Sequence, residues 1–305
     1  KKICKSLNIE LLEDPHLLNK DGMRILLLHG DTLCTDDHDY QAFRSMVRSN
    51  NWQNEMLSKS LDERIKIADA LRKKSIEANQ DKGEKIMVYG DYDVDGTTAV
   101  ALVYSFLKQN HPHCTYYIPD RHEEGYGIST KGIDKAKTEN VSLIIAMDCG
   151  IKAMDKVSYA HSLSIDFIIC DHHLPSDELP QASAILDPKQ AACPYPFKDL
   201  CGCGIGFKLI QALTKERGGD LEEIVPFLDL VAMAIAADLV PMVGENRILT
   251  HFGILQIQEN PRLGIRFFVK ELKRKINVSD LVFVLAPRIN GAGRIKHGSH
   301  AVALL

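Results

Sequence analysis

Residues 85–105 read KIMVYGDYDVDGTTAVALVYS. The apolar run 86–89 has the character of a buried strand, and Gly90 ends it. Asp91, Asp93 and Asp95 follow at alternate positions, and Gly96 with two threonines leads into an apolar helix expected over about 98–108. Carboxylates crowded at the C-terminal end of a strand repel one another, and such a cluster usually holds a hard cation. The spacing D-x-D-x-D-G also opens a calcium loop, but that loop needs a preceding helix and a bidentate Glu at its twelfth position. Here a strand precedes it and the twelfth position is Leu102, so the calcium-loop reading fails. A strand, acid loop and helix in an α/β sheet fit better, since ligands there bind beyond the strand C-termini. The plainer alternative is a solvated turn whose acids favour a helix N-terminus.

The same grammar repeats downstream. A short strand over 115–118 runs into PDRHEEGYGIS, where Ser129 can cap a helix through Ile133 and Ala136. The strand 143–147 ends in Asp148-Cys149-Gly150, and a helix follows over about 153–162. The strand 166–170 ends in Asp171-His172-His173, and 184–186 suits a further short strand. Strands alternating with helices at this spacing predict an α/β fold with a doubly wound, mostly parallel sheet. Right-handed crossovers then bring Asp91, Asp93, Asp95, Asp148, Asp171, His172 and His173 to one edge. The Gly-rich turn 202–207 opens a helix to about Glu216 and suits either close backbone packing or an anion site. LEEIVPFLDLVAMAIAADLV (221–240) is too interrupted by Glu222, Glu223, Pro226 and Asp229 to span a bilayer and reads as a buried helix. Asp238, at its apolar end, is costly there unless it meets a metal or a base.

At 305 residues the chain has room for two domains, and 45% hydrophobic with 26% charged residues is ordinary for a globular protein. It has neither a twenty-residue apolar run nor a signal-peptide pattern, so a cytoplasmic protein with no membrane partner is expected. KKICKSLN carries no initiator Met, so the true N-terminus is expected to be missing. A net charge of −4 gives no global attraction to nucleic acid, and any phosphate contact must come from local basic patches. The eight cysteines include no C-x-x-C pair, and several sit in apolar runs, which suits reduced core thiols better than disulfides or a zinc knuckle.

Upstream, MRILLL (23–28) is expected as a strand, followed by His29-Gly30-Asp31. Asp37 is a candidate N-cap, and Trp52, Met56 and Leu57 are candidate anchors. Ser60 and Glu63 fit a capping box for a helix through Ile65, Ile67 and Leu71, and RKKSIEANQDKGEK reads as a solvated linker. Downstream, a helix is expected over 246–257 and a basic amphipathic helix over 263–274, either a solvated face or the wall of a nucleic-acid groove. Residues 282–285 read as a short strand feeding APRINGAGR, and the chain stops at Leu305 inside a helical pattern. Three parts are expected: a strand-plus-helices segment 1–80, an α/β domain 81–245, and a helical extension 246–305.

Taken in order, GDYDVDGTTA, MDCGI, DHH and AADLVP resemble the DHH phosphoesterase superfamily. With PDRHEEGYG, GCGIGFK and APRINGAGR, the text over about 82–305 is similar to its bacterial RecJ branch, the single-strand-specific exonucleases. The resemblance implies a two-metal phosphodiesterase that uses Mn2+ or Mg2+, degrades single-stranded DNA from the 5′ end, and serves DNA repair and recombination. It also implies helicase and single-strand-binding partners, and a connecting helix and second domain beyond Leu305. Carried over residue by residue, it makes Asp93 and Asp95 metal ligands, with Asp91 a ligand or its support. Asp148 would bridge the two metals, His172 would be a ligand, and Asp238 would complete the site. His173 would lie beside the scissile phosphate and Asp171 would orient the histidine pair. Arg121, Arg288 and Arg294 would hold phosphates, with Asn290 nearby. Tyr126, between two glycines, suits either a base-stacking platform or simple turn packing.

Two divalent cations neutralise an anionic phosphodiester and lower the pKa of a shared water, and carboxylate-rich ligation with one imidazole suits manganese or magnesium better than zinc. Two other readings stand: a DHH enzyme acting on short oligonucleotides or cyclic dinucleotides, and an inactive, truncated metal-binding remnant. The run LLLHGDTLCTDDHDYQAFRSMVRSNNWQ resembles the UDP-diacylglucosamine pyrophosphohydrolase family, of calcineurin-like phosphoesterase fold, up to about Asn79. That resemblance makes His29 one ligand of a two-metal site, but the family's other ligand motifs do not occur here. One histidine cannot hold a dinuclear centre, so 1–80 is expected to be an interior fragment without its own activity.

Overall fold

The computed structural model describes residues 16–20, 23–27, 38–81, 84–295 and 297–305. The chain divides into two compact units, Lys1–Ile76 and Glu77–Leu305. His29 and Asp37 lie outside the described residues.

In the first unit β1 (His16–Lys20) pairs antiparallel with β2 (Met23–Leu27), His16 opposite Leu27. Helices α1 (His38–Arg48), α2 (Asn50–Ser58) and α3 (Leu61–Asp81) follow. The expected capping box forms: the Glu63 amide donates to Ser60 Oγ at 3.3 Å and the Ser60 amide donates to Glu63 Oε2 at 2.9 Å. The stretch from Arg72, expected as a linker, instead continues α3 to Asp81. Its Arg, Lys, Glu, Ala and Gln are strong helix formers, so polarity alone does not end the helix. Leu57, Leu61 and Ile65 are exposed, so Leu57 does not act as the anchor expected of it.

The second unit alternates strand and helix: β3 (Lys85–Gly90), α4 (Val94–Asn110), β4 (Cys114–Tyr117), α5 (Thr130–Thr138), β5 (Val141–Met147), α6 (Met154–Ser162), β6 (Asp166–Cys170) and β7 (Ala184–Leu186). The strands form one parallel sheet in the order β4-β3-β5-β6-β7. Successive side chains go to opposite faces, as a strand requires. Val88 and Ile145 enter one core with Val100 and Leu102 of α4, while Met87, Tyr89, Ile144 and Ala146 enter the other with Ile133 of α5 and Val157 of α6. Burial on both faces explains why these strands read as unbroken apolar runs. The chain leaves β3 toward β4 and then returns to the other side for β5. That reversal opens a crevice beyond the C-terminal ends of β3 and β5.

The first core is completed by α7 (Gly202–Glu216), a 3-10 segment Leu221–Phe227, α8 (Leu228–Ala237), α9 (Gly244–Glu259) and α10 (Leu263–Glu271). Cys114, Cys149, Cys170, Cys201 and Cys203 are buried and free. Among the described residues, no helix is long and apolar enough to cross a membrane.

Three further elements differ from expectation. Helix α4 starts at Val94, not near 98, because Asp93 is its N-cap and accepts from the Gly96 amide at 2.9 Å. A Cβ at Gly96 would lie 2.6 Å from the Asp91 carbonyl oxygen, so only glycine lets the helix begin this close to the strand end. The single helix expected over 221–240 is two, the 3-10 turn carrying Pro226 and then α8. Residues 282–285 are not a strand but part of a π-helical turn, Leu281–Leu285, that runs into α11 (Ala286–Ile295); α12 (Ser299–Leu304) follows. Burial of Leu281, Leu285, Ala286 and Ile289 follows helical spacing, and an Asn277–Asp280 capping box starts the segment. The β-branched text LVFVL is overridden by what it packs against.

Arg262 closes the helical part onto the core. Its Nε and Nη2 donate to the buried Asp229 carboxylate at 2.6 and 2.8 Å, and its Nη1 donates to the Leu305 carbonyl at 2.6 Å. Arg262→Ala strands Asp229 as an unpaired buried charge and is expected to cost roughly 3–5 kcal/mol. Denaturant midpoints at unchanged m-value measure this; a cost below about 1 kcal/mol would show that the pair does not hold the fold.

Candidate metal centre

The crevice edge is lined by strand ends. Asp91 leaves β3 fully buried; the Tyr92 and Gly127 amides approach its carboxylate, but neither oxygen has a partner within full hydrogen-bond geometry. Burial, with Asp93 adding repulsion, pushes its carboxyl up to about 7. Asp93 spends one oxygen capping α4. Asp95, in the first turn of α4, is buried and reaches across to α7, accepting from the Gly202 amide at 2.6 Å and the Cys203 amide at 2.8 Å. The glycine-rich helix start thus does bind an anion, but the anion is the chain's own carboxylate. Close packing is also real: a Cβ at Gly202 would stand 2.6 Å from the Asp148 Cβ. Burial, then Asp238 and Asp93, push Asp95 up to about 7 against those two amides.

Asp148 follows β5 with φ +60°, a left-handed conformation uncommon outside glycine and often found at functional sites. It is buried, and burial followed by Asp95 and Asp93 drives its carboxyl well upward. Its Oδ1 has no hydrogen bond, yet lies 3.1 Å from His172 Nε2. The same nitrogen is 3.7 Å from Asp238 Oδ2 and 3.8 Å from Asp95 Oδ2. Burial, with His173 and Lys189, holds His172 down to about 4, so it stays a neutral imidazole and cannot itself offset the acids. Asp238 caps the C-terminus of α8, and burial followed by Asp93 raises it to about 6.

Asp171 is the contrasting case. Burial alone would raise it, but the His173 hydrogen bond and the Ile151 amide outweigh burial and hold it below the usual range. Its oxygens accept from His173 Nδ1 at 2.7 Å and from the amides of His172, His173 and Ile151 at 2.8, 3.1 and 2.9 Å. The Asp171 hydrogen bond raises the pKa of His173. The Tyr126 hydroxyl sits 3.1 Å from His173 Nε2.

A cavity of about 530 Å³ opens beside the acids, lined by Asp93, Asp95 and Asp238 on one side and Pro287, Asn290 and Gly291 of α11 on the other. Arg121 stacks over the Tyr92 ring at 4.2 Å and donates from Nη2 to Asn290 Oδ1 at 3.4 Å. Its Nε is buried without a partner. Arg288 does not line this cavity; it is exposed, donates to its own helix at the Val284 carbonyl and lies over the Phe268 ring. The Arg294 side chain lies outside the described residues.

Sequence reasoning passed over Asp187. It follows β7, is buried, and keeps Oδ2 unpartnered; burial raises it to about 6. The rule that found Asp148 and Asp171, an acid at a strand end, applies equally to AILD. It also missed Tyr92, whose role as a platform for Arg121 no local pattern announces.

Donor atoms of Asp95, His172 and Asp238, and of Asp148, His172 and His173, each gather within 4.8 Å. Neighbouring ligands of an octahedral Mg2+ bound at 2.0–2.1 Å stand about 2.9 Å apart, close to the Asp148–His172 separation. Unpartnered buried oxygens, a neutral imidazole and a donor set with more carboxylates than imidazoles fit a hard divalent cation.

Known proteins resemble this chain in sequence and fold. Residues 85–235 match the family model of the DHH family, N-terminal domain. The single-stranded-DNA-specific exonuclease RecJ of Bacillus subtilis is 42% identical over 225 residues, 73% of this chain and 28% of the relative. Its Escherichia coli counterpart is 40% identical over 240 residues, 73% of this chain and 41% of the relative. A crystal structure of exonuclease RecJ bound to manganese superposes with TM-score 0.68 at 30% identity, covering 75% of this chain and 58% of that one. UDP-2,3-diacylglucosamine hydrolase of Bordetella pertussis is 42% identical over 112 residues, 37% of this chain and 43% of the relative. The chain spans less than half the length of the two curated RecJ relatives and of the hydrolase, and 58% of the solved RecJ chain.

The raised acids make stability depend on pH. Asp91, Asp95 and Asp238 titrate at about 7, 7 and 6 when folded, against about 3.9 for an unfolded Asp. Between those limits the folded state binds more protons, so stability falls as pH rises from about 4 to 7. His172, lowered to about 4, acts in the opposite sense up to about 6.5, one group against several. In chelator, Tm is expected to be lower at neutral pH than at mildly acidic pH, and excess manganese is expected to raise it at neutral pH. Thermal unfolding across pH reads this; a Tm that climbs through the window and ignores the cation would contradict it.

Proposed function

As residues 85–235 of this chain match the DHH family model, we propose that it forms the catalytic part of a metal-dependent phosphodiesterase that degrades single-stranded DNA from the 5′ end. One observation carries the reading: His172 Nε2 stands 3.1–3.8 Å from carboxylates of three separate segments, Asp148, Asp95 and Asp238. With Asp93, these residues would hold two divalent cations, manganese or magnesium, and the buried Asp91 would support them from beneath. Bound there, the cations would neutralise phosphodiester charge and make a water a better nucleophile.

The chain's own groups supply the rest. Asp171, anchored by three amides, fixes the His173 imidazole and keeps it protonated over a wider pH range. With Nδ1 held by Asp171 and Nε2 by Tyr126, a protonated His173 would set positive charge beside a phosphoryl oxygen. Arg121, stacked on Tyr92 and bonded to Asn290 of the cavity wall, holds a planar guanidinium suited to a phosphate. The cavity between the acids and α11 is where the strand would lie. Roles in DNA repair and recombination, with helicase and single-strand-binding partners in the cytoplasm, belong to the same proposal.

With manganese and a 5′-phosphorylated single strand, mononucleotides are expected to be released, and chelation abolishes release. His172→Ala and Asp148→Ala are each expected to lose more than about a hundredfold in rate. Comparing strands labelled at either end gives the polarity. Absence of release with manganese, or full activity in His172→Ala, would overturn the reading.

A further inference from the structure

Tyr126 sits at the site with its hydroxyl already in use. Its neighbours Gly125 (φ +78°) and Gly127 (φ +80°) are both left-handed, with open space where a Cβ would stand. Glycine is needed there for the backbone path alone, and that path brings the phenol to His173. The hydroxyl is 3.1 Å from His173 Nε2. The other ring nitrogen, Nδ1, is held at 2.7 Å by Asp171, itself anchored by three backbone amides. The imidazole is therefore tethered at both nitrogens. The Tyr126 ring is braced in turn, edge-on to Tyr92 at 6.2 Å and to His173 at 6.0 Å.

We propose that Tyr126 is a positioning residue whose hydroxyl, acting as the second tether of His173, keeps that imidazole turned toward the Asp148–His172 cluster. The proposal rests on the phosphodiesterase reading and departs from a base-stacking role, which would need the ring but not the hydroxyl. A hydroxyl suits the task because it donates to a neutral imidazole and accepts from an imidazolium. It follows the ring through both proton states, which neither a carboxylate nor an amine does. With Nδ1 tethered alone, the ring rocks about that one bond, and a misplaced reacting group loses rate far more than affinity.

Tyr126→Phe keeps the ring and removes the hydroxyl. It is expected to lower kcat roughly tenfold with KM for single-stranded DNA unchanged. On a His173→Asn background the same change is expected to add no further loss, since its route to the reaction is gone. In the metal-free protein, the 15N resonance of His173 Nε2 is expected to shift in Tyr126→Phe while the resonances of His172 stay in place. Wild-type kcat in Tyr126→Phe, with KM raised only in Tyr126→Ala, would identify a stacking platform and overturn the proposal. An unmoved Nε2 resonance would overturn it as well. The resonance needs no turnover: if the wild-type chain releases no nucleotide but the resonance shifts, the tether stands and only the phosphodiesterase reading falls.

Discussion

Acids from the ends of β3, β5 and α8 converge on one imidazole from the end of β6, largely out of water. Two like charges about 4 Å apart repel by roughly 4 kcal/mol at an effective dielectric constant near 20. Among the described residues, no lysine or arginine comes within ion-pair distance of Asp91, Asp93, Asp95, Asp148 or Asp238. The protein handles the strain unevenly. Asp171 is satisfied by three amides and an imidazole and stays ionised. Asp95 receives the N-terminus of α7, yet still rises. Asp91 and Asp148 keep unpartnered oxygens. This division separates the acid that positions a side chain from the acids proposed to hold a cation.

The parallel sheet produces the convergence. A crossover from β3 to β4 and back to β5 places the reversal of strand order where the acids of both strands emerge. Glycines then permit the approach: Gly96 lets α4 start against Asp91, and Gly202 lets α7 come up to Asp148. A methyl group at either position would push apart the segments that the acids require to be close.

Much of this was legible before any coordinates. Ile86–Tyr89 and its downstream counterparts announce buried strands because both faces of the sheet are covered, and acids at their ends stand out against apolar text. The failures are instructive in the same terms. Residues 282–285 look like a strand because β-branched residues are locally ambiguous, and only their packing at helical spacing reveals the π-turn. Asp187 was missed although the short strand before it was expected, because a single acid after AIL does not stand out as the acid clusters after the other strands do. Arg288 was expected to hold phosphate, but it turns back on its own helix, a side-chain choice that no spacing encodes. The Gly202 turn left two physical readings open, and the structure realises both.

The central claim is that acids scattered between positions 93 and 238 share cations with His172. A crystal soaked in manganese, with anomalous diffraction recorded at the manganese edge, addresses it directly. The account predicts two peaks roughly 3.5–4 Å apart, enclosed by Asp93, Asp95, Asp148, His172 and Asp238. Peaks elsewhere on the surface, with these side chains turned away from one another, would contradict it.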